Sequence, residues 1–109
     1  MKNMSYAEHV AQTILGQLGS QRFVVMTGAK NLAYFDDNGE CGLCFQLPSY
    51  FAKNNINIVR IKLTFADDYT VTFYSKQGSR IAQISEREGI YCDQLQWLFT
   101  RETGLYTRL

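Results

Sequence analysis

Regular alternation of apolar and polar residues between positions 58 and 75 is the feature that most constrains how this chain can fold. Within 58–65, Val59, Ile61 and Leu63 alternate with the charged residues Arg60 and Lys62. Successive side chains of a strand point to opposite faces, so this spacing predicts a strand with one apolar and one polar face. The same period, with many β-branched and aromatic residues, predicts further strands at 22–27, around 32–35, at 41–47 and 69–75, and a last one at 80–85.

Short turns between these strands predict that neighbours in sequence also pair in the sheet. The dipeptide Asn38-Gly39 is typical of a tight hairpin turn and joins the second and third predicted strands. The turn 66–68 joins the next two strands, and its short length predicts that Val59 lies opposite Ser75. The polar stretch between the two hairpins connects them. The strands are therefore expected to form an antiparallel meander.

Each end of the chain carries the pattern of an amphipathic helix. Ser5 and Glu8 match a capping box, and the three-and-four spacing of the apolar residues that follow predicts a helix over Tyr6–Leu18. A second helix is predicted over 92–103, where apolar residues again fall on one side. The short apolar tail 105–109 is expected to fold back on the sheet.

These elements predict an α+β fold, in which an antiparallel sheet of about five strands forms a meander. The N-terminal and C-terminal helices are expected to pack on one face of this sheet, because that arrangement buries the most apolar surface and leaves the other face to solvent. A length of 109 residues fits a single domain over 1–109.

Composition excludes several classes of protein. Eleven Lys and Arg stand against ten Asp and Glu, so the chain is neither a strongly basic nucleic-acid coat nor an acidic tail. Hydrophobic residues make up 46% of the chain, which excludes disorder. The longest apolar runs, such as 23–26, are too short for a membrane span or a signal-peptide core. We therefore expect a soluble, cytoplasmic protein whose three cysteines are reduced.

The residues that could support catalysis or bind a metal do not form a known motif. Cys41 and Cys44 have the spacing of half a zinc or redox motif, but no second pair follows, and residues three apart in a regular strand point to opposite faces. His9 is the only histidine, and Cys92, near a helix start, lacks a recognisable base. The segment 27–31 has a single glycine and precedes a strand, so it is not a phosphate-binding loop. We expect no enzyme activity, no metal and no cofactor. A bulge at Gly42 would be needed to bring the two thiols together, and the alternative of a small hydrolase or thiol enzyme predicts an abnormally reactive Cys92 or Cys44.

The polar face of the central hairpin is the main candidate binding surface. Arg60, Lys62, Tyr74 and Lys76 are expected to lie on it, and Lys30 adds a further exposed cation. Cations around an exposed ring suit a single-stranded nucleic acid or an acidic protein surface. The same residues also suit an ordinary solvated face, on which Arg60 stacks on Tyr74. A net charge near zero weakens the nucleic-acid interpretation, because non-specific affinity needs many cations.

Five stretches of the chain form a pattern of their own. They are VVMTGAKN at 24–31, GLCFQLP at 42–48, NIVRIKL at 57–63, YCDQLQWLF at 91–99 and TGLYTRL at 103–109. This pattern resembles a family of small uncharacterised proteins encoded by phages, prophages and related mobile elements. The resemblance implies an intracellular role in a phage or mobile-element context, and it implies no catalytic residue.

The function expected from these observations is binding. We expect a non-enzymatic module that binds or inhibits a host or phage protein, because exposed aromatic residues such as Trp97 and Tyr106 are types that anchor protein interfaces. The alternative is a nucleic-acid-binding accessory protein that uses the exposed sheet face. An uncovered sheet face or an end strand would also allow two copies to pair as a homodimer.

Overall fold

The computed structural model describes residues 5–107, and these contain three α-helices and five β-strands. In chain order they are α1 (Tyr6–Leu18), α2 (Ser20–Thr27), β1 (Lys30–Asp37), β2 (Glu40–Gln46), β3 (Ile58–Leu63), β4 (Tyr69–Gln77), β5 (Arg80–Ile90) and α3 (Leu95–Thr103). Short 3-10 turns occupy Lys53–Asn55 and Cys92–Gln94. The strands form one sheet in the order β1-β2-β3-β4-β5, and every neighbouring pair is antiparallel. The predicted α+β meander is therefore confirmed.

The helices share one hydrophobic core with one face of the sheet. Ile14 of α1 and Val59 of β3 are fully buried in this core. Phe23 of α2 packs edge-on against Phe45 of β2, with ring centroids 5.3 Å apart, and against Phe99 of α3, at 5.2 Å. Such edge-to-face pairs add to the energy of burial. We call the opposite side of the sheet the outer face, and it carries no helix of the described residues.

The two predicted terminal helices are present. The backbone N–H of Glu8 donates to the Ser5 hydroxyl at 3.2 Å, and α1 has the predicted bounds. The predicted helix 92–103 begins with the 3-10 turn, so α3 itself starts at Leu95. In the tail, Leu105 packs against the core and Thr107 is buried, while 108–109 lie outside the described residues.

The predicted strand 22–27 is wrong, because this segment forms α2. Gly19, with φ of 126°, turns the chain between α1 and α2. Phe23 and Thr27, four residues apart, then point into the core together. The Thr27 hydroxyl donates to the Phe23 carbonyl at 2.8 Å, and Gly28, in the left-handed conformation, ends the helix. The apolar run 23–26 is too short for its period to distinguish a helix from a strand.

The pairing of β3 with β4 follows the predicted faces but not the predicted register. Val59 lies opposite Phe73 instead of Ser75, a shift of two residues. Two hydrogen bonds between Thr64 and Asp68 close a turn that is longer than expected. The Thr64 N–H donates to the Asp68 carbonyl at 2.9 Å, and the Thr64 hydroxyl donates to the Asp68 carboxylate at 2.6 Å. An even shift keeps every side chain on its face. Phe65, expected in the core, is instead in the turn and 76% exposed.

The last strand is longer than the sequence predicts. β5 continues through the charged residues 86–89, which were expected to form a turn, and ends at Ile90. Its pairing with β4 shifts twice, once beside Phe73/Tyr74 and once beside Tyr69/Val71. Gly89, with φ of 67°, lies within the second irregularity. Such bulges allow the strand to continue where simple alternation fails.

Candidate functional site

The outer face carries a cluster of paired charges at Asp37, Glu40, Arg60 and Lys62, which we call the charged cluster. Arg60 Nη2 lies 3.6 Å from Asp37 Oδ2, and Lys62 Nζ lies 3.7 Å from the same oxygen. Lys62 Nζ also lies 3.5 Å from Glu40 Oε1. Two cations therefore face two carboxylates. The predicted basic surface at Arg60 and Lys62 is locally neutral, which reduces its attraction for phosphate groups.

The stacking partner of Arg60 is Phe35, and the predicted stacking on Tyr74 is wrong. The Arg60 guanidinium carbon lies 4.1 Å from the centroid of the Phe35 ring. The observed register places Arg60 opposite Thr72, while Tyr74 pairs with Ile58 further along the sheet. Phe35 of the edge strand β1 lies opposite Gly42 of β2, so its ring can cover the glycine backbone and reach Arg60.

The other two predicted cations, Lys30 and Lys76, lie together at one end of the sheet. They line a depression of about 260 Å³, with Asn57 and Ser49 among its other residues. The Asn57 side chain fixes the backbone of Lys76, since it donates to the Lys76 carbonyl and accepts from the Lys76 N–H, both at 2.8 Å. The five predicted binding residues therefore do not form one surface. Arg60 and Lys62 belong to the charged cluster, whereas Lys30 and Lys76 line the depression. Tyr74 is half-buried and lies opposite Ile58.

A groove along α3 brings two exposed aromatic rings and a cation together. Trp97 is 57% exposed and Tyr106 is 70% exposed, and both line a cavity of about 570 Å³. Arg101 lines the same cavity, and its guanidinium carbon lies 5.2 Å from the centroid of the Trp97 ring. The rest of the lining is polar, and it consists of Asp93, Gln96, Thr100 and Thr107. We call this surface the α3 groove.

A helix-ending turn positions Tyr106 beside Trp97. Gly104, in the left-handed conformation with φ of 76°, ends α3, and its N–H donates to the Thr100 carbonyl at 2.7 Å. The buried Thr103 hydroxyl donates to the Phe99 carbonyl and accepts the Leu105 N–H at 3.1 Å. These bonds direct the chain back along α3. The sequence identified Trp97 and Tyr106 as exposed anchors, but it missed Arg101, although a spacing of four residues from Trp97 in a helix is a recognisable signal.

The three cysteines are free and differ in their surroundings. Cys41 is buried, Cys44 is half-buried and Cys92 is exposed. Burial, with a contribution from the Asp36 carboxylate, raises the pKa of the Cys41 thiol. A thiol with a raised pKa is a poor nucleophile at neutral pH. Within residues 5–107 no group of three or more His, Cys, Asp or Glu side chains is placed to hold a metal ion.

Comparisons with known proteins do not assign this chain to a family. No family model, curated protein or solved structure matches this chain. The resemblance to small phage proteins therefore stays a prediction. Among the described residues, no helix is long and apolar enough to cross a membrane.

Proposed function

We propose that this chain is a non-catalytic module that binds, and so recruits or inhibits, a host or phage protein through the α3 groove. The observation that carries the proposal is the meeting of Trp97, Arg101 and Tyr106 around one cavity. Trp, Tyr and Arg are the residue types most enriched among the few that dominate binding energy in protein interfaces. A partner that fits offers an apolar side chain to the two rings and a carboxylate to the Arg101 guanidinium.

The nucleic-acid alternative has weaker support on the outer face. Arg60 and Lys62 are already paired with Asp37 and Glu40, so few cations remain there to neutralise phosphates. Lys30 and Lys76 have no ion pair within residues 5–107, but two cations give only a shallow salt dependence. We expect no salt-dependent binding of labelled single-stranded or double-stranded DNA at micromolar protein, and such binding at low salt would favour the alternative.

A matched pair of variants tests the proposed surface. Trp97→Ala removes a ring from the α3 groove, and Ile81→Ala removes an equally exposed side chain, 57% in both cases, from the outer face of β5. Partners are captured with the purified wild-type chain from lysate of the cells that carry its gene, and the affinity of each purified partner is measured by calorimetry. Loss of a central aromatic anchor costs about 2 kcal/mol or more, which is roughly a 30-fold loss of affinity.

The expected result is that Trp97→Ala weakens binding by at least this factor while Ile81→Ala leaves it unchanged. Because both side chains are largely exposed, circular dichroism is expected to show an intact fold for both variants. Equal affinity of Trp97→Ala and the wild type for every captured partner would contradict the proposal.

A further inference from the structure

A second cavity lies between α1 and the edge strand β1. It has a volume of about 370 Å³ and is widely open to solvent. Helix α1 contributes Ala11 and Leu15, β1 contributes Leu32 and Tyr34, and Leu43 of β2 also lines it. We call this site the β1–α1 cleft. It shares no lining residue with the α3 groove.

The cleft runs beside strand backbone that no other strand of residues 5–107 pairs with. β1 is the first strand in the sheet order, so it pairs with β2 on one side only. The two-residue turn between Asp37 and Glu40 makes these flanking residues a hydrogen-bonded pair, as in other hairpins of this length. Along an antiparallel pair of strands, hydrogen-bonded residue pairs alternate with non-hydrogen-bonded ones. Tyr34 and Asp36 fall in non-hydrogen-bonded pairs, so their N–H and C=O groups point away from β2. The segment 33–37 is in regular register with β2, so these groups are presented in extended form.

The two edges of the sheet differ in how well they are protected from pairing. β5 has two register shifts and carries the charged residues Arg80, Glu86, Arg87 and Glu88. Bulges and charges are the usual means by which an edge strand avoids a further strand. β1 also carries charged residues, Lys30, Asp36 and Asp37, but it has a single register shift, between Lys30 and Ala33, and pairs regularly with β2 over 33–37. Because of this longer regular segment, the β1 edge is the better template for an added strand.

The charge of the cleft indicates what kind of segment fits. Of the residues 5–107, Glu8 is the only charged one that lines the cavity, and Asp36 lies next along the strand edge. Apolar side chains make up the rest of the site together with Gln12, so the cleft combines an apolar cavity with negative charge at its margin. An extended segment with an apolar side chain flanked by a basic one is complementary to both features.

We propose that the β1–α1 cleft binds an extended segment of a protein partner, which adds to β1 as a sixth strand. The segment donates to and accepts from the outward backbone groups of Tyr34 and Asp36. Its apolar side chain enters the cavity between Leu15 and Leu43, and a neighbouring lysine or arginine pairs with Glu8. This site is additional to the α3 groove and does not depend on it.

A designed peptide tests strand addition without a known partner. The probe is a capped heptapeptide in which leucine and threonine alternate between terminal lysines, and it is titrated into the isotopically labelled full chain by NMR. We expect saturable shifts of the Tyr34 and Asp36 amides with a Kd below about 1 mM, and slower hydrogen exchange at these two amides. The same peptide with N-methylated leucines lacks the leucine N–H donors of the strand pairing, so it is expected to bind at least tenfold more weakly.

Two variants separate this site from the α3 groove. Glu8→Gln is expected to weaken binding of the peptide with terminal lysines about threefold or more, and to leave binding of a peptide with terminal glutamines unchanged. Trp97→Ala is expected to bind both peptides with the affinity of the wild type. Absence of saturable shifts up to about 1 mM, equal binding of the N-methylated peptide, or shifts confined to α3 would each overturn the proposal. None of these results changes the test of the α3 groove, which uses captured partners and Trp97→Ala.

Discussion

Substitution of Gly42 by alanine tests the packing of the outer face directly. Gly42 lies in the middle of β2, with Phe35 opposite it on β1 and Lys62 opposite it on β3. A β carbon at this position would lie 2.7 Å from Phe35 Cζ and nearer still to the Ile61 carbonyl oxygen. A β carbon does not come this close to a non-bonded atom, so β2 and β3 would have to move apart.

The magnitude follows from which neighbour has to move. Overpacking usually costs about 1–3 kcal/mol, and the cost is lowest when a flexible side chain can rotate away. The Ile61 carbonyl belongs to the backbone of a central strand, so Gly42→Ala is expected to cost about 3 kcal/mol. Domains of this size have a free energy of unfolding of about 5–15 kcal/mol, and each kcal/mol shifts Tm by roughly 4 °C. We therefore expect Tm to fall by about 12 °C.

Urea and thermal unfolding, followed by circular dichroism, measure this loss against a matched control. The β carbon of Gly78→Ala meets no atom of the described residues within 4 Å, so its cost of about 1 kcal/mol comes from the positive φ of 62°. Adding Phe35→Leu to Gly42→Ala is expected to restore little stability, because the Ile61 carbonyl is still in the way. If Gly42→Ala lost no more stability than Gly78→Ala, this account of the β2–β3 packing would be refuted.

Three further predictions concern the core and the ionisable groups. Phe23→Ala is expected to cost about 3–5 kcal/mol in urea unfolding, since its ring joins the helices to the sheet, and a loss below about 1 kcal/mol would contradict that role. Iodoacetamide at neutral pH should modify exposed Cys92 first and buried Cys41 only on unfolding, and equal rates for the two thiols in mass spectra would contradict the structure. Burial raises the pKa values of Cys41 and Tyr69, so in alkaline solution the folded state keeps protons that the unfolded chain releases. The free energy of unfolding should therefore fall as pH rises above about 9. Constant stability from pH 8 to about 11 would contradict this.

Much of the fold could be predicted from the sequence because most of its elements have a clear hydrophobic period. Helix α1 begins after the Ser5 cap as expected, and β2, β3 and β4 lie where alternation places them. The segment 20–27 could not be assigned correctly, because a short apolar run has no period and its helical state depends on burying Phe23 between Phe45 and Phe99. Those two residues are distant in sequence, so no local pattern reports the contact.

The register and the site were harder to predict for the same reason. Alternation fixes the face of each residue but is unchanged by a shift of two, and the bonds between Thr64 and Asp68 that set the longer turn are not visible in the pattern. Neutralisation of Arg60 and Lys62 depends on the end of the β1–β2 hairpin lying beside β3. The α3 groove depends on the reversal of the chain after α3, which brings the two exposed aromatic residues together.

Fluorine NMR of the single tryptophan tests the central claim most directly. Trp97 is the only tryptophan in the chain, so a fluorine-labelled analogue reports on the α3 groove alone, and an unlabelled partner adds no signal. Adding a captured partner is expected to shift the Trp97 resonance and to reduce its response to exchange of water for deuterium oxide. A complex that forms while the Trp97 resonance and its solvent response stay unchanged would contradict the claim that the partner binds at the α3 groove.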